Sequence, residues 1–186
     1  MKKVLLAVAA LMFGTAVRAE NAATTAATPP APAPELKQNL DVFAGKWSCT
    51  GRQEASPMGP AHATKSKKEA NWDLGGYWLS FREDGMKTKE DPMPKQARVF
   101  LGFDATTKRL TGNGFFPGGG AVTAWSSGWD GNKMVWTGDM MMGGQKTAVR
   151  HIFEKVSDTE MHDVIEGTGP DGKTMKMSEG TCKKGK

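Results

Sequence analysis

Two cysteines, three histidines, twelve methionines and six tryptophans are the side chains of this 186-residue chain with the most chemistry to offer. Cys49 and Cys182 stand near opposite ends of the chain. In an exported protein with two cysteines a disulfide is the default, with two buried thiols or a thiol in a metal site as alternatives. His62, His151 and His162 lack the spacing of a zinc site. His151 shares an alternate-residue face with Val149 and Phe153, which makes it either a hydrogen-bonded core histidine or an axial haem ligand. Met140-Met141-Met142, Met161-His162 and Met175-Lys176-Met177 offer thioethers of the kind that bind Cu(I). Adjacent strand residues point to opposite faces, however, so gap-filling is the commoner use of such methionines.

No catalytic constellation emerges. Ser126-Ser127-Gly128 is not followed by the strand-to-helix turn of a nucleophile elbow. Strand parity puts Asp163 and Glu166 on opposite faces, so the sequence alone does not make them a carboxylate pair. Gly118-Gly119-Gly120 lacks the lysine and helix of a phosphate loop. The tryptophans remain: Trp47, Trp72, Trp78, Trp125, Trp129 and Trp136. They serve either as large core fillers or as the lining of a cavity for an apolar ligand. The candidate lumen set is Trp47, Trp72, Trp78, Trp125, Trp136 and His151.

The elements that must position these residues are strands. Tyr77, Leu79 and Phe81 alternate with Trp78, Ser80 and Arg82; Ala97, Val99, Leu101 and Phe103 alternate with Arg98, Phe100 and Gly102. Val149, His151 and Phe153 repeat the pattern. Turn signals such as Asp104-Ala105-Thr106-Thr107 and Asp130-Gly131-Asn132 separate the runs. About ten strands are expected, near 46–55, 62–73, 77–86, 96–103, 109–116, 121–129, 133–139, 145–155, 160–167 and 173–182. No helical segment of ten or more residues interrupts them, which excludes parallel crossovers. The fold class is all-β: an antiparallel up-and-down meander of about ten strands, closed into a barrel. Leu36, Leu40 and Phe43 fall at helical spacing ahead of the first strand. If the barrel closes, the first and last strands are neighbours and Cys49 can meet Cys182. Strict alternation from Met175 and Met177 puts Cys182 on the wrong face, and a bulge at Gly180 is expected to restore the register.

The termini read as export and spacer. Lys2 and Lys3 precede an apolar stretch from Val4 to Phe13, and Val17-Arg18-Ala19 offers a cleavage point, so residues 1–19 form a secretory signal. Residues 20–34, almost all Ala, Thr and Pro, form a disordered linker, and 35–186 the folded domain. The expected location is periplasmic or secreted. The whole chain carries 25 basic and 20 acidic residues; without Lys2, Lys3 and Arg18 the balance is close to neutral. Lys65, Lys67 and Lys68 form one cluster and Lys183, Lys184 and Lys186 another. Neither interleaves with aromatics, so both read as solvated edges and nucleic acid is not an expected partner. No apolar run reaches the ~20 residues of a membrane-spanning helix.

Five motifs in order carry a resemblance: Gly45-Lys46-Trp47, Ser56-Pro57-Met58-Gly59-Pro60, Trp72-Asp73-Leu74-Gly75-Gly76-Tyr77-Trp78, Leu101-Gly102-Phe103-Asp104 and Gly128-Trp129-Asp130-Gly131. Over about residues 36–185 the chain resembles a widespread bacterial family of unknown function with a lipocalin-like, calycin-type domain. The resemblance implies an up-and-down barrel with an internal cavity, one end closed by Trp47. Lipocalins set an Arg of the last strand across that Trp, whereas the strand expected here offers only Lys173 and Lys176. The haem alternative for His151 comes from the nitrobindin-like barrels, whose glycine-rich N-terminal pattern this chain lacks. The function expected is binding of a small apolar or amphipathic ligand in the lumen, without a cofactor. The alternative is a structural or interaction barrel filled by its own side chains.

Overall fold

A computed structural model describes residues 30–56, 59–169 and 172–185. The expected secretory signal and most of the expected linker lie outside the described residues. A short helix α1 (Pro34–Leu40) opens the fold, with Pro34 in its first turn, where a missing N–H costs nothing. A 3₁₀ turn (Asp41–Phe43) follows.

Eleven strands come next: β1 (Gly45–Gln53), β2 (His62–Asp73), β3 (Trp78–Gly85), β4 (Gln96–Asp104), β5 (Arg109–Phe116), β6 (Gly120–Ser126), β7 (Trp129–Asp130), β8 (Lys133–Met142), β9 (Gln145–Ser157), β10 (Glu160–Thr168) and β11 (Thr174–Lys184). Each pairs antiparallel with its neighbours in sequence, except that β6 passes over the two-residue β7 to pair with β8. β1 pairs with β11, so ten strands close on themselves and β7 is the extra one. Closure gives both edges of each barrel strand a partner.

Register follows the alternation read from the sequence. Leu79, Ala97 and Val149 are buried inside, as their pattern required. Cys49 and Cys182 sit directly opposite one another on β1 and β11 and are joined by a disulfide. The register is restored by a bulge, but not at Gly180. Ile165 pairs with Ser178 and Glu166 with Lys176, so Met177 is the extra residue. Gly180 stays in step between Gly51 and Asp163. A Cβ there would lie 2.9 Å from Asp163 Oδ1, so this glycine provides room rather than a kink.

One end of the barrel is plugged. Leu36, Leu40 and Phe43 pack against Trp47, Leu79, Leu110, Met134, Trp136 and Met161. Burying each large side chain contributes roughly 1.5–3 kcal/mol. Three indole N–H groups fasten the plug: Trp47 Nε1 to Phe43 O (2.8 Å), Trp72 Nε1 to Asp41 Oδ1 (2.9 Å) and Trp129 Nε1 to Asn39 O (2.8 Å). The cation across Trp47 belongs to neither Lys173 nor Lys176. β11 runs two residues further than its alternation suggested, and Lys184 faces Trp47 with Nζ 5.4 Å from the ring. The same ammonium donates to Val42 O at 3.4 Å.

The bridge spans 133 residues. Chain-entropy arguments give such a loop a stabilisation of up to about 5 kcal/mol. Cys49→Ser and Cys182→Ser should lower the thermal midpoint by similar amounts, and the double variant should fall no further than either. Calorimetry of the three variants checks this; additive losses would show that the cysteines stabilise independently.

Candidate functional site

Strand parity splits the lysine cluster of β2. Lys67 and Lys68 are neighbours in sequence, so they must point to opposite faces. Ala70 is buried inside, and Lys68, two residues before it, is inside as well and only 8% exposed. Reading Lys68 as part of a solvated edge is therefore corrected: Lys65 and Lys67 are exposed, Lys68 is interior.

An ammonium inside a barrel demands carboxylates. Lys68 Nζ lies 2.9 Å from Asp163 Oδ2 and 3.9 Å from Glu83 Oε1. Glu83 also accepts from Ser66 Oγ at 3.0 Å and meets Lys95 Nζ at 3.6 Å. His151 Nε2 approaches Asp163 Oδ2 to 3.5 Å, yet forms no hydrogen bond and is buried. The cluster thus runs across the interior from β9 through β10 to β2 and β3. A cavity of about 70 Å³ borders it, lined among others by Cys49, Ser66, Lys68, Glu83, Asp163 and Gly180. A broader groove of about 400 Å³ lies near the plugged end beside Lys46, Ser48, Lys67, Arg82 and Asp84. Those five alternate with inward residues and belong to the outer wall.

The charges fix one another. Burial pushes the Lys68 ammonium down, but the Asp163 and Glu83 carboxylates outweigh it and hold its pKa above the ordinary lysine value. Burial raises Glu83, and Lys68 with Lys95 overcomes that, pulling it down to about 2. Asp163 is held well below the usual carboxylate range, because Lys68 and His151 outweigh its burial. For His151 burial wins over the attraction of Asp163, and its pKa is lowered. Lys68 is therefore a fixed cation, not a nucleophile, and His151 is neutral at pH 7.

The expected lumen residues part company in space. Trp47, Trp72 and Trp136 face inward, Trp47 and Trp136 within the buried core and Trp72 half-buried beneath the plug. His151 faces inward beside them; its ring centre is 4.0 Å from that of Phe153, and Phe153 meets Phe43 of the plug at 5.0 Å. Trp78 and Trp125 stand on the outer face. Trp78 covers Gly102, where a Cβ would meet its ring at 2.7 Å, and Trp125 is 36% exposed under the Arg109 guanidinium. Both alternate with inward residues, Leu79 for one and Ala124 and Ser126 for the other. Glu83 and Lys95 were missed altogether, and Lys68 was assigned to the surface. Counting back in twos from Ala70 and Trp72 would have turned Lys68 inward. Asp163 was weighed only against Glu166, which lies outside and takes Arg150 at 2.8 Å. Among the described residues no group of three or more His, Cys, Asp or Glu could hold a metal ion.

Stability should track the protons of this cluster. Depressed carboxylates stabilise above their unfolded values near ~4, and that contribution is lost as pH falls. A neutral buried histidine acts in the same sense below about 6.5, whereas Lys68 stabilises until pH rises past roughly 10.4. The urea midpoint should therefore decline in two stages on acidification, and the upper stage should vanish in His151→Phe. Lys68→Met should cost roughly 3–5 kcal/mol at neutral pH by stranding its carboxylates. The cost should shrink at pH 4, where one of them takes up a proton. Equal costs at both pH values would show that Lys68 is not paired as described.

No curated protein matches the chain. Among solved structures it resembles Rv2717c from M. tuberculosis, with a TM-score of 0.63 and 10% identity over 83% of this chain and 99% of that one. At that identity the likeness concerns the fold alone. A redesigned beta barrel aligns with a TM-score of 0.42 and 13% identity over 80% of this chain and 96% of that one. Lipocalin barrels have about eight strands, whereas this one has ten. The model of the family described as "Protein of unknown function (DUF1579)" matches residues 32–184, nearly all of the folded chain, and the protein belongs to that family.

Proposed function

We propose that this protein is an exported binding module that holds a small amphipathic molecule in the barrel lumen. The observation that supports the reading is the division of the inward wall into two kinds. From β10 and β11 through β1, β2 and β3 the inward residues include Asp163, Ser178, Gln53, Thr64, Ser66, Lys68 and Glu83. From β4 to β9 they include Val99, Leu101, Val122, Met140, Met142 and Val149. Several of the apolar ones, Leu101, Val122, Met140 and Met142 among them, keep accessible surface, as does His151 at 31%. Inside a closed barrel, accessible surface on an inward side chain borders lumen space.

Such a lumen suits a ligand with an apolar body and one polar end. The cavity of about 70 Å³ beside Lys68 and Asp163 lies on the polar side of that lumen. The apolar body lies along β4–β9, and the polar end turns toward His151 and the charged cluster beside it. The side-chain-filled alternative describes the plugged end, where Leu40, Leu79 and Met134 are fully buried. Export is supported by the charged and apolar N-terminal pattern and by the disulfide, which persists in oxidising compartments.

Native mass spectrometry of protein purified from its own host tests the reading. A population heavier than the polypeptide, returning to the polypeptide mass on denaturation, is the expected result. A single polypeptide mass under native conditions, unchanged after adding a panel of amphipathic probes, would overturn it.

A further inference from the structure

Of the inward polar side chains, His151 stands on the apolar side of the lumen, on β9 between Val149 and Phe153, with Trp136 as its partner on β8 and Ile165 on β10. Asp163 Oδ2 faces its Nε2 at 3.5 Å. A carboxylate there favours the tautomer that carries the proton on Nε2, because the other tautomer would turn a lone pair on the negative charge. Nδ1 is then a bare acceptor. Among the described residues no hydrogen bond reaches it, and the side chain keeps 31% of its surface accessible. Asp163 is in turn anchored by Lys68, which also faces Glu83. The ionised groups of the lumen are thus paired with one another, and His151 adds a neutral acceptor on the apolar wall.

We infer that His151 selects the ligand by its polar end, accepting a hydrogen bond at Nδ1 from a neutral hydroxyl, so that the ligand class is a phenol or alcohol rather than a carboxylate or a plain hydrocarbon. The inference rests on the lumen reading above and adds to it the chemistry of the ligand. A hydrocarbon of the same shape would leave the acceptor unmatched. A carboxylate would bring a lone pair to a lone pair, and it would have to compete with Asp163 and Glu83 for Lys68. A hydroxyl meets Nδ1 with a donor and carries no charge to desolvate. Asp163 is a positioning residue here, since it sets which nitrogen of His151 is free.

Three probes of similar size that differ at one group test this: 4-fluorophenol, 4-fluorotoluene and 4-fluorobenzoate, titrated into the full-length protein and followed by fluorine NMR. The expected order places the phenol ahead of both others by roughly threefold to tenfold, the worth of one net hydrogen bond. His151→Phe should erase that preference while toluene binding persists, and His151→Gln, which keeps an acceptor, should retain part of it. Long-range proton–nitrogen NMR of the unmodified protein should report the Nε2-protonated tautomer, with the Nδ1 resonance moving when the phenol is added. Benzoate binding tightest, or phenol and toluene binding alike, would overturn the inference and leave the lumen reading standing. Nδ1 carrying the proton would overturn it too. Failure of all three probes to bind would overturn both.

Discussion

A lysine ammonium enclosed by a sheet cannot stand alone, and much of this interior is arranged around that one demand. Lys68 requires Asp163 and Glu83; Glu83 draws in Ser66 and Lys95; Asp163 orients His151. The backbone yields as well. Asp163 reaches the centre because its neighbours across β11 and β1 are Gly180 and Gly51, and a side chain at Gly180 would collide with its carboxylate. Replacing such a pair with apolar side chains is often neutral or favourable for stability. Stability alone therefore does not account for an ion pair at this position.

The two ends of the barrel divide the labour. At one end, a seven-residue helix and a 3₁₀ turn supply Leu36, Leu40 and Phe43 as a stopper, fastened by three indole N–H groups and by Lys184 over Trp47. That end is dense and apolar. Above it the wall becomes two-sided, and the aromatic sequence Trp129–Phe43–Phe153–His151 links the stopper to the polar cluster through successive ring contacts. Tryptophan thus serves here chiefly to build the closed end, with the polar handle of each indole used to tie chain segments together.

Most of the fold was legible from alternation. Runs such as Ala97, Val99, Leu101 and Phe103 state their inner face outright, and the 36/40/43 spacing announced the helix and turn. The site was much less so. The first half of β2, His62 to Lys68, contains no apolar run to declare which residues face in, so its lysines look like surface lysines until Ala70 and Trp72 set the parity. Glu83 and Asp163 come from strands eighty residues apart and meet only because the sheet closes. Trp78 and Trp125 illustrate the opposite error: grouping residues by type put them in the lumen, while the parity of Leu79 and of Ala124 already placed them outside. Lys184 was missed because β11 continues beyond the residues whose pattern signalled a strand.

Closure between β1 and β11 also governs how the molecule can come into being. As synthesis proceeds from one end, β1 through β10 can assemble as a growing meander of neighbouring hairpins, but the free edge of β1 finds its partner only once β11 exists. The decisive contacts therefore join residues more than a hundred positions apart, and non-local pairing of this kind places folding on the slow, ms–s side of the range for small domains. Through that interval an unpaired strand edge and the apolar inner faces stand open to neighbouring chains. The last barrel strand is thus the one that shields both at once, pairing the open edge and closing the wall over the inner faces.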